Sequence, residues 1–101
     1  MNVETMRRFI AGGQTDDLEA AWMQAIDQNA PIGEFVEVLS ALDAVEQTGL
    51  AETLAWALLE QRREEGGGEQ ALAVARELVQ AAGGSTELRD QTVALYRELY
   101  G

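Results

Sequence analysis

The sequence predicts an all-α fold, and three observations carry that expectation. Apolar residues recur three and four apart through almost the whole chain, and no segment sustains the strict alternation of a half-buried strand. Alanine is the commonest residue, which keeps helix propensity high and lets helix axes approach closely. Glycine pairs and one glycine triplet punctuate the periodic segments, where helices stop and chains turn.

Six helices follow from this pattern. The first is short, with Val3, Met6, Phe9 and Ile10 on one side and Gly12-Gly13 as its stop. The second is TDDLEAAWMQAIDQN: Thr15 is the expected cap, Asp16 and Asp17 complement the positive helix start, and Leu18, Trp22, Ala25 and Ile26 form one stripe. Pro31 fits the first turn of the third helix, where its missing N–H costs nothing. That helix has the cleanest stripe, Phe35, Val38, Leu39, Leu42 and Val45, and is expected to run to Gly49.

The fourth helix starts near Leu50 and buries Leu54, Ala57 and Leu58, with Ala55, Trp56 and Leu59 widening the stripe. The fifth carries Leu72, Ala75, Leu78, Val79 and Ala82 and stops at Gly83-Gly84. Ser85 is the expected cap of the sixth, which contains Leu88, Leu95, Tyr96 and Leu99. Connections of two to five residues make sequential neighbours antiparallel, giving three hairpins in a single domain over residues 1–101.

Composition excludes several functions. The chain has no Cys, His or Lys, and its seven positive charges are all Arg. That removes the thiolate nucleophile, the disulfide, the Schiff base, the Walker lysine and the commonest general base and metal ligand. A net charge of −11 opposes direct binding to nucleic acid or to an anionic membrane, and it is compatible with a basic protein partner. No apolar run reaches the roughly 18–20 residues of a bilayer span, and the expected location is the cytoplasm.

The chain also carries an internal repeat. AAWMQAI around Trp22 aligns with LAWALLE around Trp56 at an offset of 34 residues, and the helices that follow align at 36. Ala71, Ala75 and Leu78 show the small, small, large spacing of the second helix of tetratricopeptide repeats, and Gly66 stands near that family's turn glycine. Residues 15 to 100 thus resemble a tetratricopeptide-type domain, which implies three stacked hairpins in an α-α superhelix. The pattern departs from the family where Leu58-Leu59 replace a Leu-Gly pair, where Arg62 replaces an aromatic, and where the terminal proline is missing. In narrower features, DLEAAW, the helix containing EF, TLAWALLE and LRDQTVALYRELYG, the chain is similar to the helical N-terminal extensions of bacterial Gre-type transcript cleavage factors. That resemblance implies an accessory module of a longer transcription factor and assigns no site residues; the acidic-tipped coiled coil of that family is absent from these residues.

The glycine triplet Gly66-Gly67-Gly68 is the first candidate for chemistry. A phosphate loop needs a preceding strand and a following Lys-Ser or Lys-Thr, whereas here a helix precedes and Glu69-Gln70 follow. The triplet is therefore a chain reversal. Asp16, Asp17, Glu19, Glu60 and Glu64 are helix-end and surface carboxylates, with no metal or cofactor expected on them. Ser40 and Ser85 have no His partner, and Arg62, Arg63, Glu60 and Glu64 form an expected exposed charge ladder.

Trp22 and Trp56 hold equivalent places in the two units, which suits packing between hairpins, with contact to a partner as the alternative for both. Val93 and Tyr100 lie off the Leu88, Leu95, Leu99 stripe, so the last helix presents apolar groups in two directions, and Tyr96 and Tyr100 on it are the stronger interface candidates. The expected function is non-catalytic protein–protein interaction, with Tyr96, Tyr100, Val93 and Trp56 as the partner contacts. The alternatives are an accessory module of a longer Gre-type factor, a homodimer paired through the last helix and, least favoured, an enzyme using only carboxylates and tyrosine.

Overall fold

The computed structural model describes the backbone of residues 1–81 and 86–100 and the side chains of 1–80 and 89–100. Among the described residues the chain is helical and without strand: α1 (Val3–Ala11), α2 (Thr15–Asp27), α3 (Ile32–Ala44), α4 (Thr48–Ala81) and α5 (Thr86–Tyr100). The fourth and fifth predicted helices are two arms of α4, joined at Gly67, whose φ of 83° and ψ of 179° are not helical. A straight 34-residue helix would be about 51 Å long, yet the greatest extent of the molecule is 43 Å. The second arm returns to the body, and its Ala75 and Leu78 share one core with Leu54 and Leu58 of the first.

Local chemistry explains most of the boundaries. The Asn2 side chain accepts the Thr5 N–H at 3.1 Å and caps α1. Gly12 closes that helix, and Gly13 takes a φ of 67° that a side chain would resist. Thr15 does not cap α2: Gln14 occupies the cap position without a side-chain hydrogen bond to the backbone, and Thr15 is the first helical residue. Asp16 and Asp17 do stand in the first turn. Asn29, at φ 55°, turns the chain toward Pro31, which sits at the cap of α3.

The end of α3 differs from the sequence expectation. The helix stops at Ala44, Glu46 makes the reversal at φ 61°, and Gly49 falls inside the first turn of α4. Val45, expected in the core stripe, is therefore past the helix end and 54% exposed. Gly83, Gly84, Ala82 and the Ser85 cap lie outside the described residues, as does the side chain of Leu88.

The main core gathers Met6 of α1, Leu18, Trp22 and Ile26 of α2, and Phe35 and Leu39 of α3. Both arms of α4 close it with Ala51, Leu54, Leu58, Ala75 and Leu78. α2 and α3 meet through large side chains, Trp22 standing edge-on to Phe35 with ring centroids 4.9 Å apart and planes at 74°. α1 packs against both of them, and α4 packs against α2, α3 and α5. The radius of gyration, 13.0 Å, matches the roughly 13 Å of a compact domain of 100 residues, so the helices enclose a shared core.

A satellite cluster holds α5: Ala71 and Leu72 of the second α4 arm against Leu95, with Leu99 at its edge. Gly68 adjoins this cluster: a Cβ there would stand 2.6 Å from Leu99 Cδ2, so the Leu99 side chain would have to shift to admit it. Arg62 is a further correction. Expected on an exposed ladder, it is 5% exposed, its guanidinium bonded to the Gln61 amide oxygen and 3.9 Å from Glu65. Its position continues the buried Ala51, Ala55, Leu58 row, where the long stem covers apolar surface.

Candidate functional site

The two arms of α4 and α5 together form the surface that carries the exposed aromatic groups. A helix presents residues 95 and 99 on one line, and here that line faces the second α4 arm. The two flanks of α5 then look away from each other, and each has its own character.

One flank is an open cleft of about 140 Å³. Trp56 and Leu59 from the first α4 arm, Ala71 from the second, and Ala94 and Leu95 from α5 supply its apolar lining. Glu60, Arg63 and Glu98 form the charged rim, and Arg63 is ion-paired to Glu98 across the two helices. Glu60 lies one turn beyond Trp56 and makes no ion pair among the described residues. The Trp56 ring is 45% exposed. In contrast to Trp22, whose indole Nε1 donates to the Leu54 carbonyl at 2.8 Å, the Trp56 N–H has no acceptor among the described residues.

The other flank carries the tyrosines. Tyr96 and Tyr100 are tilted against each other with centroids 5.2 Å apart, and they border Leu72, Ala73 and Arg76 of the second α4 arm. The Arg76 guanidinium carbon sits 6.0 Å above the Tyr96 ring, at the outer range of a cation–π contact. The Tyr100 hydroxyl donates to Glu69 at 3.3 Å. The Glu69 carboxylate disfavours a phenolate beside it and holds the Tyr100 pKa above its ordinary value of 10.0, with desolvation and the hydrogen bond acting in the same direction. Val93 shares this flank by helical spacing and is exposed.

Of the four residues expected to contact a partner, the structure brings Val93, Tyr96 and Tyr100 onto one flank of α5 and places Trp56 on the other. Packing between hairpins does not describe Trp56, since its ring lies at the surface. The residues that sequence reasoning missed at the cleft are Glu60, in its role beside Trp56, and the Arg63–Glu98 pair. The i, i+4 spacing of Trp56 and Glu60 was a usable signal. The pairing of residues 35 apart in sequence had no local signal at all.

Among the described residues no group of three or more His, Cys, Asp or Glu is disposed to hold a metal ion, and no helix is long and apolar enough to cross a membrane. No protein-family model, curated protein or solved structure matches the chain.

Proposed function

We propose that the chain is a non-catalytic protein-interaction module that engages a protein partner through the surface around α5. The observation that carries this reading is the placement of its exposed large apolar side chains. Of seven among the described residues, the four at Trp56, Val93, Tyr96 and Tyr100 lie on or beside α5. Tryptophan and tyrosine dominate the energetic centres of protein interfaces, because each covers a large area with few rotatable bonds. A shallow, aromatic-bearing surface whose charged groups are one ion pair and one rim carboxylate suits docking better than bond chemistry.

The repeat reading accompanies this proposal. Ala71, Ala75 and Leu78, the triplet that resembles the tetratricopeptide second helix, are all buried, and the glycine triplet does break the helix. A Gre-type accessory role would use the same mode of action, docking without chemistry. A homodimer paired through the Val93, Tyr96, Tyr100 flank is the second reading, favoured by the i, i+3, i+7 spacing of those exposed groups on one helix.

The test is retention of proteins from extracts of the source cells, quantified for the wild type, Trp56→Ala and the double variant Tyr96→Ala/Tyr100→Ala, with helicity checked by circular dichroism. A protein held by the wild type and lost by either variant supports the proposal. Identical retention by all three overturns it. Sedimentation velocity on the same samples isolates the dimer, which would dissociate in the tyrosine variant.

A further inference from the structure

We infer that the Trp56 cleft is a seat for one cationic side chain, an arginine, carried by an extended segment of a basic protein partner. This assignment rests on the interaction-module reading and names the chemistry that the cleft would recognise.

The two flanks of α5 differ in whether their aromatic groups are already satisfied. Tyr96 has the Arg76 guanidinium over its ring and Tyr100 has Glu69 on its hydroxyl, so that flank supplies its own cation and its own acceptor. Trp56 has neither among the described residues, although indole is the strongest of the aromatic cation binders. The cleft beside it is the size of one side-chain head group, since a cavity of about 150 Å³ accepts a benzene-sized guest.

Charge decides the occupant. At the rim, Arg63 is neutralised by Glu98, which leaves the half-buried Glu60 carboxylate as the uncompensated charge among these three groups. The field of the whole chain, at net −11, has the same sign and steers cations toward the surface. A carboxylate or phosphate would meet the uncompensated Glu60 and be repelled. A purely apolar side chain could use Leu59, Ala71 and Ala94 but would leave Glu60 partly desolvated without a partner.

An arginine satisfies all three parts. Its methylene stem matches the apolar wall, its planar guanidinium stacks on the exposed indole face, and its N–H groups reach the Glu60 carboxylate in a fork geometry. Lysine would keep the charge and lose the stacking and the fork, so arginine is the preferred head group. Preference for a peptide segment over a free cation follows from the openness of the cleft along α5, where Gln91 and the backbone-near Ala94 leave room for a chain to pass.

The experiment uses the whole 101-residue chain, labelled with ¹⁵N, so that its two indole N–H signals report separately on Trp22 and Trp56. The probes are Ac-Gly-Arg-Gly-NH₂ and the same peptide with citrulline, which keeps the shape of the arginine and removes its charge. The Trp56 signal is expected to move saturably with the arginine peptide, with Kd in the millimolar range, while the Trp22 signal stays in place. Citrulline should weaken binding by about tenfold, and Glu60→Gln by a few-fold. In Trp56→Leu, whose own indole signal is gone, the backbone amides of Leu59, Glu60 and Ala94 are followed instead; their saturable shifts with the arginine peptide, present in the wild type, should be lost, with the unmoved Trp22 signal certifying the fold. Equal affinity for the two peptides, or full affinity in Glu60→Gln, would overturn the assignment. If the peptide fails while a partner protein is still lost from the Tyr96/Tyr100 variant, the interaction module stands and only the arginine seat falls. If the peptide binds as expected and no partner is retained by any form, the seat stands and the module reading fails.

Discussion

Trp22 and Trp56 sit in matching sequence contexts 34 residues apart, and the protein uses them in opposite ways. Trp22 is fully buried, its N–H given to the Leu54 carbonyl and its ring edge-on to Phe35. Trp56 is nearly half exposed and lines a cleft. The difference is angular. At 100° per residue, Trp22 lies near the centre of the Leu18, Trp22, Ala25, Ile26 stripe, whereas Trp56 lies about 150° around α4 from the centre of the Ala51, Leu54, Ala55, Leu58 stripe. Residue type makes a tryptophan worth burying; its angle to the stripe decides whether neighbours can close over it.

The largest expected effect breaks the comparison at its buried member. Trp22→Ala should cost about 3–5 kcal/mol in chemical denaturation, from the lost ring and the cavity left behind. Trp56→Ala, at a site where about half of the side chain is covered, should cost only about 1 kcal/mol. A cost above about 2 kcal/mol at position 56 would mean that its ring is packed after all, and the contrast would vanish.

Next in size is the turn that separates the two surroundings. Gly67 holds a φ and ψ combination that is open essentially to glycine alone, and without this turn Ala71 could not form the cleft's second wall. Gly67→Ala is expected to cost about 1–3 kcal/mol and, by loosening the cleft, to raise the solvent quenching of Trp56 fluorescence while leaving Trp22 unchanged. The reversal before α4 works in the opposite sense. Glu46 adopts a left-handed φ of 61°, which glycine tolerates freely. Glu46→Gly should therefore stabilise the chain by about 0.5–1 kcal/mol in the same denaturation assay.

The smallest effect concerns the tyrosine flank and shows how it differs from the tryptophan cleft. With Tyr96→Phe as background, Tyr100 is the sole tyrosine, and its ultraviolet titration should be centred above 10.0. Glu69→Gln should bring it down, because the repelling carboxylate is gone. The sign for stability follows. A folded-state pKa above the unfolded value means that the folded chain holds the proton longer, so the contribution is complete below pH 10 and is lost as pH rises through the folded value.

Where the sequence could be read, the chemistry was local. Gly12-Gly13 end α1, Asp16 and Asp17 open α2, and the core stripes of α2 and most of α3 follow helical spacing. The readings failed where a residue did something its type disfavours or where a contact came from far away. Glu46 takes a left-handed turn that glycine was expected to make, so α3 ended several residues early and Val45 was left outside. Arg62 is buried because its position, not its charge, follows the stripe. At the candidate site Val93 and Tyr100 were legible as groups off the core stripe of α5, whereas Trp56 read first as packing between hairpins and lies at the surface. Their division between two flanks was not legible, because it depends on how α5 lies against a second arm that only the glycine turn brings back.

The satellite cluster that holds α5 has a thermodynamic consequence. Among the described side chains of this helix only Leu95 is buried, whereas every other helix contributes directly to the main core. Undocking of α5 should then cost far less than global unfolding, and amide hydrogens in residues 86–100 should exchange through such local openings. A guest in the Trp56 cleft touches both sides of that seam and binds only the closed form, so its observed affinity is the intrinsic one multiplied by the fraction of molecules with α5 seated. Any change that loosens Ala71, Leu72 or Leu95 would thus weaken recognition from beneath, without altering a single contact to the guest.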